Sequence, residues 1–341
     1  MLNQDDRQNS TQSEAIAPVL SHDWHVVATS QGLPPGALQG VRLLGQDLAL
    51  WRGADGVVRG WRDRCPHRSV RLSTGTVVDN TVVCAYHGMV FGGDGRCIHV
   101  PAHPTYTPPN QACAFAYEVQ ERYGLVFVCL GTPAALLPRF PEWEDDGFVK
   151  GISGPHGGRV GGYRAIENFL DVAHFPFVHR DILGDPAQAA IADYEVRVDA
   201  EGVHIPQFRV WQPDPLGTGQ GDYVNYTYHV SRPLTAYLRK VNPTGECLSL
   251  LYCVTPVNET EFVGWMLMAM NFIKAEALPA AIAFQDRVMS QDIANLETHV
   301  IKQLPLDLHA EFHVPGDRAS LAYRKWLRDL GVTYGVLIES V

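Results

Sequence analysis

The sequence predicts an α+β protein in which a small N-terminal all-β domain precedes a C-terminal α+β domain. At 341 residues the chain exceeds one typical domain. Short apolar runs separated by glycine-rich turns fill residues 23–131. The rest of the chain mixes strand and helix patterns without regular βαβ alternation. That mixture is typical of an antiparallel sheet packed with a few helices.

Three segments follow from these patterns. Residues 1–20 are predicted to be disordered, because Gln, Asn, Asp and Ser dominate MLNQDDRQNSTQSEA. Residues 21–135 form the β domain, with strand-length runs such as WHVVATS and turn signals such as GADG and GGDG. A proline-bearing connector, TPAALLPRFPEWEDDG, leads into the second domain at residues 136–341.

The second domain has a helix, then strands, then a long helix. IENFLDVAHF has helical spacing, and residues 194–272 return to strand patterns such as YVNYTYHV and LSLLYCVTPV. The segment EALPAAIAFQDRVMSQDIANLETHVIKQL is predicted to be one long helix. Its apolar stripe is formed by Ile282, Met289, Ile293, Leu296 and Val300.

Composition excludes several classes of function. The formal net charge of -10 argues against nonspecific nucleic-acid binding, which needs a basic surface. The polar, acidic start lacks the basic and apolar regions of a signal peptide, and runs such as FVGWMLMAM are too short to span a bilayer. We therefore expect a cytoplasmic protein that does not insert into membranes. In that compartment disulfides among the 7 cysteines are not expected, and clustered cysteines are better explained as metal ligands. The five without a partner at ligand spacing are predicted to be small apolar fillers: Cys97, Cys113, Cys129, Cys247 and Cys253.

The first candidate metal site is a Cys-x-His pair followed by a Cys-x-x-His pair: Cys65, His67, Cys84 and His87. Each pair lies at the end of a predicted strand, so two neighbouring loops could hold one metal group. Zinc accepts two thiolates and two imidazoles. A [2Fe–2S] cluster with its thiolates on one iron and its imidazoles on the other uses the same ligands. From spacing alone both remain open.

The second candidate site lies in ENFLDVAHFPFVH. Asp171 and His174 are three residues apart and would share a helix face. His174 and His179 are five apart, which on a regular helix would point them roughly 140° from each other. Pro176 biases Phe175 away from helical geometry, so the two imidazoles can converge across a break. Two unrelated histidines remain the alternative.

Two imidazoles need a carboxylate to complete the 2-His-1-carboxylate set that suits ferrous iron. The predicted C-terminal helix offers Asp286, Asp292 and Glu297. Each lies beside the apolar stripe on a helical wheel, so the wheel does not choose among them.

The residues around these sites carry a family resemblance. Pro66, Arg68 and Gly88 around the first ligand set resemble the Rieske [2Fe–2S] motif. The order of this motif, ENFLDVAHFPFVH and an acidic helix resembles the oxygenase (α) component of Rieske non-haem iron oxygenases over residues 22–337. Segments such as VPAHP and EFHVPGDRASLAYRKWLRDLGVTYGV look like saxitoxin-pathway Rieske hydroxylases and, more loosely, methylxanthine N-demethylases. Ala85 and Met89 depart from the family pattern, which commonly has proline and tryptophan there.

The resemblance implies residue roles and an assembly. It selects Asp292 as the third iron ligand beside the two histidines, in a helix-grip-like catalytic domain. It also implies a homotrimer in which Asp171 of one subunit links His174 to His87 of the next. Asn168 would orient this bridge by hydrogen bonding; a helix-start cap is the alternative role.

The implied function is that of a terminal oxygenase. It would use dioxygen to hydroxylate, or to N- or O-demethylate, a small ring-containing substrate. The implied cofactors are a [2Fe–2S] Rieske cluster and a mononuclear Fe(II). No glycine-rich dinucleotide motif and no C-x4-C-x2-C ferredoxin spacing occur in the sequence. NAD(P)H would therefore be oxidised by a separate flavin and iron–sulfur reductase, with or without a ferredoxin.

Other functions also fit part of the sequence. A Rieske-type electron carrier or a zinc-stabilised binding protein would explain the first motif but not the second domain. A ring-dihydroxylating dioxygenase would use the same ligands. Candidate substrate contacts on the predicted sheet are Asn225, Thr227, His229 and Met268, for which ordinary sheet packing is the alternative.

Overall fold

The computed structural model describes residues 16–215 and 219–339, which form two compact units. The first is Leu20–Leu136, and the second begins at Leu137 and also includes the described residues 16–19. Residues 1–15 of the segment predicted to be disordered lie outside the described residues. The structure differs from that prediction at its end, because Pro18–Ser21 form a one-turn helix, α1. The side chains of Ile16 and Leu20 are buried, and this burial orders the chain before residue 20.

The first unit contains two antiparallel sheets. A six-stranded sheet has the order β1-β10-β9-β4-β3-β2, and a four-stranded sheet has the order β5-β6-β7-β8. The strands are β1 His25–Thr29, β2 Leu38–Leu43, β3 Gln46–Arg52, β4 Val58–Arg62, β5 Thr76–Val78, β6 Thr81–Val83, β7 Val90–Gly92, β8 Cys97–His99, β9 Ala116–Arg122 and β10 Leu125–Cys129. The predicted all-β class of this part of the chain is confirmed.

The second unit is built on one antiparallel sheet of seven strands, in the order β11-β17-β16-β15-β14-β13-β12. Its strands are β11 Val149–Gly158, β12 Arg197–Asp199, β13 Gly202–Gln212, β14 Asp222–Arg232, β15 Thr235–Val241, β16 Cys247–Asn258 and β17 Glu261–Met270. The helices are α2 Gly162–Leu170, α3 Phe175–Val178, α4 Leu278–Leu296 and α5 Arg318–Asp329, and a short parallel pair joins β18 Leu304–Pro305 to β19 Val336–Leu337. This is the predicted α+β class.

Strand β11, at the edge of the sheet, was not predicted from the sequence. Its sequence, VKGISGPHGG, is rich in glycine and contains a proline, both of which are unfavourable inside a sheet. An edge position tolerates them, and the pairing with β17 is interrupted between Ser153 and His156. Gly151 serves packing, because a Cβ there would lie 2.7 Å from a methyl carbon of Leu278 on α4. The glycine lets the helix lie close to the strand.

Helix α4 is shorter than predicted. It ends at Leu296, and Val300 is 96% exposed beyond it, so Val300 does not belong to the buried stripe. The buried residues of α4 are Gln285, Val288, Met289, Asp292 and Leu296. The spacing keeps Asp292 on the buried face. No helix within residues 16–215 and 219–339 is long and apolar enough to cross a membrane.

A buried ion-pair network fixes α2, which carries the second candidate site at its end. Arg324 of α5 donates to Glu167 of α2 at 2.6 Å and to Glu311 at 2.6 Å. Arg164 of α2 donates to the same Glu311 at 2.7 Å. Both arginines are 3% exposed. Because a buried charge without its partner is costly, these four side chains hold α2 and α5 together as a set.

Replacing Arg324 by methionine should therefore destabilise the second unit by about 3 to 5 kcal/mol, because it leaves two carboxylates short of a buried partner. Urea denaturation of the holoprotein measures the change as a lower midpoint. Arg328→Met on the exposed side of the same helix is the matched control, with an expected change under about 0.5 kcal/mol. Equal midpoints for the two variants would show that the network contributes nothing to stability.

Candidate metal centres and substrate cavity

Two loops of the first unit share one backbone geometry. In the loop after β4, the Cys65 amide donates to the Val70 carbonyl at 2.8 Å and the Ser69 amide to the Cys65 carbonyl at 2.9 Å. In the loop between β6 and β7, the Cys84 amide donates to the Met89 carbonyl at 2.9 Å. The Gly88 amide donates to the Cys84 carbonyl at 3.0 Å. The two cysteines therefore occupy equivalent positions in two equal turns.

Both turns need a left-handed residue at their fifth position. Gly88 has φ +67° and Ser69 has φ +59°. Glycine adopts this conformation without strain, which explains Gly88 physically. Ser69 accepts the same conformation while its hydroxyl takes a hydrogen bond from Arg64 Nε at 2.9 Å. Of the residues that depart from the family pattern, Met89 packs against the buried core, and Ala85 is exposed.

The turns bring together the four donors of the first candidate site in two pairs. His67 Nδ1 lies 3.2 Å from His87 Nδ1, and both imidazoles are exposed. Cys65 and Cys84 are each 2% exposed. Burial, together with the neighbouring Cys84 thiol, raises the pKa of Cys65 to about 11. Two adjacent buried thiols of this kind become thiolates only beside a cation, so the pair fits a metal group.

The pairing favours a two-iron cluster over one zinc ion. A tetrahedral zinc ion holds all four donors about 2.0–2.3 Å from one centre, so the donors lie close to one another. Among the residues that the structure describes, no three of these four donors lie within 4.8 Å of one another. A thiolate pair and an imidazole pair that stay apart fit a cluster with one pair on each iron.

The second candidate site lies where α2 ends. Asp171 is the C-cap of α2 and has an extended backbone, with φ −86° and ψ 125°. His174 returns to helical angles and precedes α3, and His179 is the C-cap of α3. Pro176 lies in the first turn of α3, where proline is well tolerated. The prediction that Pro176 breaks the helix at Phe175 is therefore wrong.

The break comes earlier, between Asp171 and His174. It also corrects the predicted shared helix face, because Asp171 lies outside both helices. The Asp171 carboxylate instead accepts a hydrogen bond from the Ala173 amide at 2.7 Å, and its other oxygen lies 3.2 Å from His174 Nδ1. The contact between Asp171 and His174 therefore depends on this tight turn.

Three donors converge on one point at this end of α2. His174 Nε2 and His179 Nε2 lie 3.2 Å apart. Asp292 Oδ1, from the buried face of α4, lies 3.2 Å from the first and 3.0 Å from the second. His179 and Asp292 are buried. This is the one set of three or more His, Cys, Asp or Glu donors within 4.8 Å found in the described residues.

The charges of the three donors suit a divalent cation. Burial would lower the pKa of His174, but hydrogen bonds with Asp171 and Asp292 raise it to about 9. Burial would raise the pKa of Asp292, but its hydrogen bonds with the two imidazoles lower it to about 2. The buried Asp292 carboxylate thus lies beside two imidazole nitrogens that can bind either a proton or a metal ion. Two imidazoles and one carboxylate are the donors that non-haem Fe(II) prefers.

The structure separates Asp292 from the other two acidic candidates of α4. Asp286 accepts a hydrogen bond from Ser153 at 2.6 Å and lies 3.2 Å from His156. Glu297 pairs with Arg159 at 2.9 Å. Neither carboxylate belongs to the three-donor set.

Two amides hold the donors from outside. Asn168 Nδ2 donates to Asp292 Oδ1 at 2.8 Å, so Asn168 acts on the carboxylate and is not a helix-start cap. Gln291 Oε1 lies 2.9 Å from His179 Nδ1. Sequence analysis missed Gln291, although its position beside Asp292 on α4 was the available signal. Such partners orient the ligands of a metal and adjust their basicity.

Replacing Asn168 by alanine should weaken Fe(II) binding at this site by about 10- to 100-fold, because Asp292 loses the donor that orients it. Titration of the iron-depleted site with Fe(II) measures this change. Ser290→Ala is the control on α4, since among the described residues the Ser290 hydroxyl donates only to the Asp286 carbonyl of its own helix. Equal affinities of N168A and the parent protein would refute the orienting role.

A cavity of about 140 Å³ adjoins the three donors. It lies between the sheet and the helices, and its sheet side is mainly aromatic and apolar. Sheet residues that line it include Gln212, Tyr226, Tyr228, Leu238, Leu250 and Tyr252. Such a concave, largely apolar space with a few polar groups is typical of a small-molecule site.

The candidate substrate contacts do not line this cavity. Asn225, Thr227 and His229 alternate with Tyr226 and Tyr228 along β14 and therefore project from the opposite face of the sheet. Met268 is buried on β17 but is not among the lining residues. The choice of face was wrong because alternation along a strand does not tell which face meets the site.

Comparisons with known proteins cover both units. The Rieske [2Fe-2S] domain family matches residues 23–121, and the vanillate O-demethylase oxygenase C-terminal domain family matches residues 163–332. Methylxanthine N1-demethylase NdmA of Pseudomonas putida is 32% identical over 322 residues, covering 91% of this chain and 89% of that protein. Methylxanthine N3-demethylase NdmB of the same species is 28% identical over 338 residues, covering 92% and 90%.

A solved structure of one of these relatives has the same fold. NdmA superimposes with a TM-score of 0.76 at 30% identity, covering 91% of this chain and 90% of that chain. Oxidoreductase NdmD of Pseudomonas putida is 40% identical over 113 residues, which is 33% of this chain and 19% of NdmD. The matches to NdmA and NdmB confirm the resemblance to methylxanthine N-demethylases.

Proposed function

This chain belongs to the Rieske non-haem iron oxygenases, and we propose that it is the terminal oxygenase that hydroxylates or demethylates a small ring-containing substrate. Membership makes it an oxidoreductase with a Rieske cluster. The observation that carries the proposal is the convergence of His174, His179 and Asp292 beside an aromatic cavity. An electron carrier has no use for this second centre.

The geometry of each centre supports an assignment of residue roles. We assign Cys65, Cys84, His67 and His87 to the cluster, and His174, His179 and Asp292 to Fe(II). When bound, these groups supply the electron transfer and dioxygen activation that amino-acid side chains cannot perform. The chain itself holds the donors, with Asn168 and Gln291 orienting two of them, and surrounds the substrate with apolar side chains that exclude water.

The electrons come from outside the chain. NAD(P)H would be oxidised by a separate reductase, and the likeness to part of NdmD shows that related sequence occurs in a protein named an oxidoreductase. We further propose a homotrimer in which Asp171 links His174 to His87 of the next subunit, as in the family. A cytoplasmic location completes the proposal.

Demethylation is the favoured outcome, because the relatives over most of the chain are named methylxanthine N-demethylases. The substrate would carry an N- or O-methyl group on a ring. Hydroxylation of that methyl carbon gives an unstable product that releases formaldehyde, whereas attack on a ring carbon releases none.

Oxygen uptake with a suitable reductase tests the function. Methylxanthines, methoxybenzoates and methoxybenzamides would be supplied in turn, and formaldehyde and hydroxylated products would be measured beside oxygen. Formaldehyde formed in proportion to oxygen supports demethylation, and a retained hydroxyl group supports hydroxylation. Substrate-independent oxygen uptake across the whole panel would contradict the proposed function.

A further inference from the structure

The cavity contains a lysine on its sheet side. Lys240 of β15 is among the lining residues, opposite Tyr226 of β14 on one side and Leu248 of β16 on the other. Leu238, two residues before it on the same face, also lines the cavity. Two nearest neighbours of Lys240 along the sheet, Leu238 and Leu248, are therefore apolar, while Asn242, two residues after it, is polar and buried.

Lys240 has no counter-charge among the described residues. Its ammonium makes no hydrogen bond and no ion pair with any residue in the described ranges. Burial lowers the pKa of Lys240 to about 8, with no carboxylate to raise it again. Near pH 7 the side chain is still mostly charged. A charge kept in an apolar wall without a partner is costly, and a bound anion would remove that cost.

A second donor lies beside it. The Tyr226 hydroxyl accepts a hydrogen bond from Gln212 Nε2 at 2.9 Å, and both side chains are buried. Within the described part of the chain the Tyr226 proton has no acceptor. Burial raises the pKa of Tyr226 well above its usual value, so the hydroxyl stays a donor. Lys240 and Tyr226 are direct cross-strand partners that line the same cavity.

The acidic residues of the cavity do not neutralise this pair. Asp292 belongs to the three-donor set. Asp214 lines the cavity, and its carboxylate accepts a hydrogen bond from the Gly219 amide at 3.0 Å. It forms no ion pair with Lys240 in the described structure.

We propose that Lys240 and Tyr226 form an anion subsite, so that the substrate of this oxygenase is a ring compound bearing a carboxylate or a similar oxyanion. This inference rests on the proposed function and names its substrate class. The anion would bind at the sheet, while the metal donors come from the α2–α3 segment and α4. The ring would lie between them against Leu238, Leu248 and Leu250.

Direct binding to the iron-loaded enzyme tests the subsite without requiring turnover. The probes are 2-, 3- and 4-methoxybenzoate and the corresponding neutral amides, measured by calorimetry at pH 7. At least one acid should bind more tightly than its amide. Lys240→Met should weaken that acid by about 10- to 100-fold, the value of a hydrogen bond to a charged group, and leave the amide nearly unchanged. Lys240→Arg should retain most of the preference for the acid.

The pH profile adds a second readout. Affinity of the parent enzyme for the acid should fall above about pH 8 as Lys240 loses its proton. In Lys240→Arg the fall should disappear, because arginine stays charged. Lys240→Met should melt no lower than the parent enzyme, since it removes a buried charge, and this result excludes misfolding as the cause of weak binding.

The subsite and the oxygenase function fail in different ways. Equal binding of acid and amide, no binding of any acid, or equal weakening of both by Lys240→Met overturns the subsite. If neutral methylxanthines are then oxidised, the oxygenase function stands alone. Lys240-dependent acid binding without substrate-dependent oxygen uptake would instead support the subsite and refute the oxygenase.

Discussion

Replacing Asp292 by asparagine should lower the iron content from about three to about two atoms per chain and reduce turnover by at least about 1000-fold. Asparagine keeps the size of the side chain but removes its negative charge. In the described part of the chain, Asp292 Oδ1 is the one carboxylate oxygen near both imidazoles, at 3.0 Å from His179 Nε2 and 3.2 Å from His174 Nε2. Without it, two neutral imidazoles must hold a divalent cation alone. Iron analysis and reductase-coupled oxygen uptake measure the two effects.

The matched control for this change is Glu297→Gln. Glu297 lies near the end of the same helix and pairs with the exposed Arg159, so solvent screens the pair and its loss should have little effect on stability. It should leave iron content and turnover at the parent level. Full iron content in D292N would refute Asp292 as a ligand, and loss of iron in both variants would indicate a general defect of α4.

Replacing Asp171 by asparagine should leave both metal groups bound and still reduce turnover by at least about 100-fold. The side chain contacts His174 on the nitrogen that faces away from the other donors, and its own side chain is 35% exposed. It can therefore contact a neighbouring subunit, as the proposed link to the partner's His87 requires. Asparagine keeps a hydrogen bond in the turn. It lacks the negative charge with which Asp171 would accept hydrogen bonds from His174 on one side and from His87 of the next subunit on the other.

Iron, sulfide and turnover of D171N would be measured on one preparation. Asp181→Asn is the control, because Asp181 is exposed nearby and has φ +63°, a conformation that asparagine tolerates. Turnover of D171N at the parent rate would show that no bridge through Asp171 is needed. Loss of iron from D171N would mean that the residue only holds His174.

Local spacing predicted the donors because each pair lies within a few residues of sequence. Cys65 and His67 lie on one turn, and Cys84 and His87 lie on another of the same geometry. The histidines of the second site also lie in one segment, yet the position of its helix break was predicted wrongly. Proline tolerates the first turn of a helix as readily as it ends one, so Pro176 alone could not locate the break.

Contacts between residues from distant segments could not be predicted from the sequence. On a helical wheel Asp286, Asp292 and Glu297 each lie beside the predicted apolar stripe, so the wheel does not choose among them. That stripe also included Val300, which lies outside α4. Only the resemblance selected Asp292 before the structure placed it on the buried face. Lys240 and Tyr226 become neighbours through the pairing of β14 with β15, and strand register is not visible in local composition.

Metal and sulfide analysis of the purified protein tests the central claim most directly. One Rieske cluster and one mononuclear iron per chain predict about three irons and about two acid-labile sulfides, with little zinc. Two irons with two sulfides, in a protein that cannot take up a further Fe(II), would contradict the account and indicate an electron carrier. One zinc per chain without sulfide would contradict it in favour of a structural module.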